Sequence, residues 1–109
     1  MAGFSSVTLM GNMVRDPELR YTPSSTAVCE VTFAISKKRN GNEESVFVDV
    51  VFWGKTAEIV AKYGKKGKPF VAIGELQQDE WQDKQTGQKR SKIKVNARSF
   101  EFVPRSGSG

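Results

Sequence analysis

Apolar side chains fall at every second position through most of this chain, the period of strands that lie half in a core and half out of it. The pattern is sharpest in Ser45–Gly54 (SVFVDVVFWG), where Val46, Val48, Val50 and Phe52 share one side and Phe47, Asp49, Val51 and Trp53 the other. The first side is a core face. The second sets a charge between aromatic rings, a composition suited to a platform on which flat bases stack, although a strand buried on both faces of a sandwich would carry similar residues. Phe47 and Trp53 stand six residues apart, roughly 20 Å at strand rise, a span for several nucleotides rather than one small molecule.

The same reading extends to both ends. Ser5–Val14 is a first strand, and Gly11 within it marks a bulge or a close backbone approach. Arg15-Asp16-Pro17 turns the chain, Glu18–Thr22 is a short extended piece, and Pro23-Ser24-Ser25 turns it again. From Thr26, Ala27, Cys29, Val31, Phe33 and Ile35 alternate with Val28, Glu30, Thr32, Ala34 and Ser36, which predicts a long strand with Cys29 in the core. Lys37–Glu44 (KKRNGNEE) reads as a polar loop around Asn40-Gly41-Asn42. Gly54–Gly64 carries the one helical signal, with Ala57, Val60 and Ala61 on a stripe and Ile59 and Tyr63 at i and i+4.

Pro69–Glu80 is a further strand that loses its apolar character toward Trp81, and a turn follows near Asp83–Gln88. In Lys89–Val103, Ile93, Val95 and Ala97 face one way and Lys92, Lys94, Asn96 and Arg98 the other, before the apolar phase shifts to Phe100 and Phe102. Such a shift predicts a bulge. The order is strand, strand, strand, short helix, strand, strand. It points to an all-β fold, a five-stranded Greek-key barrel of the oligonucleotide/oligosaccharide-binding (OB) type with one short helix between strands 3 and 4.

Composition narrows the chemistry. A chain of 109 residues holds one modest core and no second catalytic domain. We assign residues 1–103 to that domain and 104–109 (PRSGSG) to a disordered tail or an appended end. Seventeen Lys and Arg against twelve Asp and Glu leave a net charge of +5, the balance expected for a polyanion-binding protein. A single cysteine forms no internal disulfide, and with no histidine there is no readable metal site, so a reducing cytosolic compartment is expected. No secretory signal pattern or membrane-length apolar run is present in the sequence.

Catalysis would require nucleophiles, bases or ligands in concert, and the carboxylates are scattered singly beside one core-patterned cysteine. We therefore expect no enzyme activity and no cofactor. Gly64-Lys-Lys-Gly-Lys-Pro69 looks superficially like a phosphate loop but lacks the Gly-Lys-Ser/Thr ending. What remains is aromatics among cations: Phe47 and Trp53 on a strand face, Trp81 in polar surroundings, and Lys37, Lys38 and Arg39 beside a turn. Trp81 either stacks on a base or folds back on its own hairpin. Lys65, Lys66 and Lys68 either compensate a helix C-terminus or contact phosphate, and Lys92 and Lys94 are further phosphate candidates.

These residues resemble the DNA-binding domain of bacterial-type single-stranded DNA-binding proteins over about the first 103 positions. The resemblance rests on Leu9-Met-Gly-Asn12, Arg15-Asp-Pro-Glu-Leu-Arg-Tyr-Thr-Pro23, Phe52-Trp-Gly-Lys-Thr-Ala-Glu58, Tyr63-Gly-Lys-Lys-Gly67 and Trp81-Gln-Asp83 with Gly87-Gln88. It implies an OB barrel, assembled as a homotetramer, around which single-stranded DNA wraps during replication, recombination and repair, near the nucleoid. It also implies stacking at Phe47, Trp53 and Trp81 and phosphate contacts at Lys55 and Lys66. Arg39 falls where some members place another stacking tryptophan, and its planar guanidinium is a substitute stacker. Asp49 stands where others carry Arg, and Ser24-Ser25 lacks the usual glycine. Family members continue through a flexible linker to an acidic tip that recruits replication and repair proteins, and none follows Val103 here. A dimeric primosomal relative and an RNA-binding barrel remain the alternative readings.

Overall fold

The computed structural model describes residues 3–103, so the expected tail at 104–109 lies outside the described residues. Six strands and one helix follow in the order β1 (Val7–Met13), β2 (Glu18–Tyr21), β3 (Ala27–Arg39), β4 (Asn42–Trp53), α1 (Gly54–Tyr63), β5 (Pro69–Gln82) and β6 (Lys89–Phe102). Strands β1, β5, β6, β4 and β3 form a closed ring, because β1 pairs with β3 as well as β5. Short β2 lies outside the ring on the first half of β3. This is the expected five-stranded barrel. Counting β2, its helix falls between β4 and β5.

Closure depends on the first strand. Val7, Leu9, Gly11 and Met13 point inward, and Asn12 and Met13 pair with Ala34 and Phe33. A Cβ on Gly11 would come 2.6 Å from the Ala34 carbonyl oxygen, so the glycine marks the predicted close approach of two backbones. The core holds Met13, Cys29, Val31, Phe33, Val50, Phe52, Val60, Phe70, Ala72, Val95 and Ala97. Phe52 meets Phe100 edge-on at 5.7 Å, an arrangement that suits the ring quadrupoles. Ala57 and Val60 of α1 are buried, as the stripe predicts. Cys29 is fully buried, and its desolvation pushes the thiol pKa up to about 11.

The barrel seam is short. β4 and β6 run parallel and pair only from Val50, Val51 and Phe52 to Val95, Asn96 and Ala97. Beyond that seam the β3–β4 and β5–β6 hairpins diverge. The register of β5 and β6 shifts between Ile73 and Gly74, which skips Arg98 and confirms the bulge read from the apolar phase change. Gly74 fits there because an added Cβ would lie 2.6 Å from the Ala97 Cα.

Three expectations are corrected. Lys37–Glu44 is not a loop: β3 and β4 continue through it to a two-residue turn at Asn40-Gly41, both at positive φ (52° and 81°). Lys37 faces Glu44 and Lys38 faces Glu43, so opposite charges sit across the ladder. Apolar periodicity fails there because both faces are wet. For the same reason Val46, expected in the core, is 51% exposed. Val51, expected on the ligand side, is 2% exposed, at mid-sheet between Glu30 of β3 and Asn96 of β6. Ser25 takes φ 66° in the turn before β3, the left-handed backbone for which glycine would be better suited.

Candidate nucleic-acid interface

Strand alternation puts Phe47, Asp49, Val51 and Trp53 on the outer side of β4. Register then assembles their neighbours. Trp53 lies opposite Val28, which lies opposite Arg20 of β2, giving a row of cation, aliphatic and indole. Val51 lies opposite Glu30, Asp49 opposite Thr32, and Phe47 opposite Ala34. On the β5–β6 hairpin, Gln77, Asp79 and Trp81 face Lys94, Lys92 and Arg90. All three candidate aromatics therefore occupy one outer surface running across β3, β4, β6 and β5.

The exposures fit a platform better than a core. Phe47 is 65%, Trp53 42% and Trp81 48% exposed, while Phe52, next to Trp53 in the chain, is fully buried. Trp53 borders a cleft of about 240 Å³ with Thr56, Glu75, Asn96 and Arg98. Trp81 borders a notch of about 350 Å³ with Glu80, Gln82 and Lys89. The tip beyond Trp81 is pinned. Asp83 accepts backbone hydrogen bonds from Gln85 (2.8 Å) and Thr86 (3.3 Å) and one from Arg90 Nε (3.2 Å), and these lower its pKa.

The candidate cations fall into two groups. Lys37, Lys38, Arg39, Lys55, Lys65 and Lys66 are exposed and, among the described residues, form no ion pair. Lys38 shares the Phe47 face, whereas alternation turns Lys37 and Arg39 to the opposite side of the hairpin, away from the aromatic row. Lys55 sits in the first turn of α1, where no side chain caps the helix and no acid is present. The first-turn N–H groups therefore lack a side-chain cap, and the helix dipole there favours an anion. Lys66 is held at the other end of the helix, its backbone N–H donating to Asp16 Oδ1 at 2.8 Å.

Lys92 and Lys94 form the second group, already paired. Lys92 Nζ bonds Asp49 Oδ2, and Lys94 Nζ reaches Asp79 Oδ2 at 2.7 Å and Glu30 Oε2 at 3.2 Å. Asp49 also accepts from Thr32 Oγ1 at 2.8 Å, and Asp79 from Gln77 Nε2 at 2.8 Å. The hydrogen bond from Lys92 is the main reason the Asp49 carboxyl titrates below its ordinary value, with Thr32 adding to it and partial burial opposing. Desolvation pulls the Lys94 pKa down, but its bonds to Asp79 and Glu30 outweigh this and raise it.

Two further cations belong to this surface, Arg98 and Arg20. Arg98 stood on the outward side of its strand pattern, yet only the barrel brings it beside Trp53. Arg20 lies on a strand too short for periodicity to reveal its neighbours.

A closed five-stranded barrel with one short helix, half-exposed rings and cations on its outer surface belongs to the OB-type barrels, a class that includes binders of extended single strands. Residues 4–103 match the Single-strand binding protein family, and the chain belongs to that family. It is 36% identical over 107 residues to the single-stranded DNA-binding protein of Treponema pallidum, covering 94% of this chain and 60% of that protein. It is 42% identical over 110 residues to that of Wolinella succinogenes, with coverage of 96% and 67%. With single-stranded DNA-binding protein 1 of Synechocystis sp. it shares 40% identity over 100 residues, 91% of this chain and 83% of that one. The chain thus spans between 60% and 67% of the length of the first two relatives.

Proposed function

We propose that this chain binds single-stranded DNA without strong sequence preference, protecting it during replication, recombination and repair. The observation that carries this reading is the set of three large aromatics, Phe47, Trp53 and Trp81, left 42% to 65% exposed on one outer surface. Every base has a π face, so stacking on such rings adds roughly 1–3 kcal/mol per base with little regard to sequence. Lys38, Lys55, Lys65, Lys66, Arg20 and Arg98 supply the phosphate contacts, and Lys37 and Arg39 extend them on the far side of the β3–β4 hairpin. Catalysis has no part in this reading, and the cytosol around the nucleoid is the proposed compartment. Among the described residues no helix is long and apolar enough to cross a membrane. Recruitment of replication and repair proteins is part of the reading only if an acidic C-terminal tip exists beyond this chain.

Self-association is part of the proposal. Val7–Asn12 pair with β5 on one side, whereas pairing with β3 begins only at Asn12. The second edge of Val7–Met10 has no ladder partner, and Met10 is 60% exposed. An open edge with an apolar residue suits a second copy, and a dimer of dimers gives the tetramer. The test is a titration with oligo(dT) and with an RNA oligomer of matched sequence, read by tryptophan fluorescence with sedimentation alongside. Quenching, a preference for DNA and a tetramer mass are expected. Tighter binding of RNA would transfer the reading to an RNA-binding barrel, a dimer mass to the primosomal type, and a 12.1 kDa monomer would remove the assembly.

A further inference from the structure

The aromatics of the outer surface are separated by a charge grid rather than by open cations. Four strands contribute: Thr32 and Glu30 from β3, Asp49 from β4, Lys92 and Lys94 from β6, and Asp79 from β5. The two lysines differ in how they are held. The Lys94 side chain is 13% exposed and bridges two carboxylates, whereas the Lys92 side chain is 56% exposed and has one. Asp49, in contrast, is 20% exposed and fixed from its other oxygen by Thr32. In the Asp49–Lys92 pair the acid is the anchored partner and the lysine the exposed one.

Resting on the single-strand reading above, we propose that Asp49 is a built-in stand-in for a DNA phosphate, which occupies Lys92 in the free protein and must be displaced by the backbone of a bound strand. The residue thereby sets an affinity ceiling. A carboxylate and a phosphate present the same chemistry to an ammonium group, a pair of anionic oxygens at hydrogen-bond distance. Lys92 on β6 lies opposite Asp79 of β5 and two residues from Arg90, the partner of Trp81, so a strand running from Trp81 toward Phe47 passes over it. When Lys92 swings to a phosphate, Asp49 stays in place on Thr32 with its charge uncompensated. That loss is set against the new contact, and a neutral residue at position 49 removes it. Lys94, shared by two acids and nearly covered, remains a strut of the sheet.

The experiment measures oligo(dT) affinity against salt for the unaltered chain, Asp49→Asn, Lys92→Gln and the double variant, with thermal unfolding in parallel. Asparagine keeps an acceptor for Thr32 and nearly the same shape. Asp49→Asn is expected to tighten binding roughly three- to tenfold at moderate salt while changing the log K against log salt slope by well under about 0.7, because Lys92 reaches the phosphate in both proteins. Lys92→Gln should cancel most of that gain when combined with Asp49→Asn, and made alone should lower the slope by about 0.7, the value of one phosphate contact on a single strand. Equal gains from Asp49→Asn with and without the Lys92→Gln change would reduce Asp49 to general repulsion and overturn the proposal. So would an unchanged slope on Lys92→Gln alone, a measurement that does not depend on how well the Asp49→Asn variant folds. Lack of any binding by the unaltered chain would overturn the single-strand reading itself, and this proposal with it.

Discussion

Phe52 and Trp53 are consecutive residues on one strand with opposite surroundings, and truncating each in turn separates fold from function. Phe52 is fully buried and meets Phe100 edge-on at 5.7 Å, so Phe52→Ala leaves a cavity in a closed barrel and is expected to cost about 3–5 kcal/mol of stability. Trp53 is 42% exposed and packs on the outside, where solvent fills what truncation vacates. The apolar surface it covers beyond what alanine would cover is on the order of 80 Å², worth about 2 kcal/mol at ~25 cal/mol per Å² as an upper figure. Its effect on DNA is larger in proportion. Loss of one stack at roughly 1–3 kcal/mol weakens Kd by about 5- to 150-fold, and Trp53→Phe keeps part of it because a π face remains. Urea unfolding followed by circular dichroism and oligo(dT) titration of the same samples give both numbers. A Trp53→Ala protein destabilised as much as Phe52→Ala, with unchanged DNA affinity, would refute the platform argument.

Two further outcomes follow from the barrel and the grid. Gly74→Ala should destabilise or prevent folding, since its Cβ would lie 2.6 Å from the Ala97 Cα at the bulge, whereas Gly87→Ala meets no atom within 4 Å and is strained only by its φ of 75°; thermal unfolding of the two ranks them. The Asp49 pKa is lowered on folding, so its contribution is present above pH ~4 and is lost as pH falls through the depressed folded value. Acid unfolding curves of the unaltered chain and Asp49→Asn should therefore converge at low pH, and curves that stay parallel would count against the pairing.

Most of the fold was legible because the middle of β3 and of β6 alternates where one face is wet and the other dry, whereas β4 is wet on both faces at Val46 and dry on both at Val51. Even the bulge left a trace, in the shift of apolar phase between Ala97 and Phe100. The Lys37–Glu44 stretch was misread for the complementary reason: a hairpin arm with solvent on both faces has no period, and its strands are held by the backbone ladder and the Asn40-Gly41 turn. The aromatic positions could be read from polar surroundings in sequence. The pairing of Lys92 and Lys94 could not, because their partners lie 43 and 64 residues away for Asp49 and Glu30, and only closure brings β6 beside β4. Arg20 and Arg98 were hidden by the same long-range geometry.

The central claim is that rings and cations hold one strand together, and the salt dependence of binding tests it most directly. Oligo(dT) affinity should be measured from about 50 mM to about 1 M salt, with quenching of both tryptophans as the signal. The account predicts a linear fall of log K with log salt, at about 0.7 per phosphate neutralised, and residual quenched complex at about 1 M where stacking persists. Complete loss of binding in molar salt would contradict the stacking half of the account, and a salt-independent Kd would contradict the phosphate half.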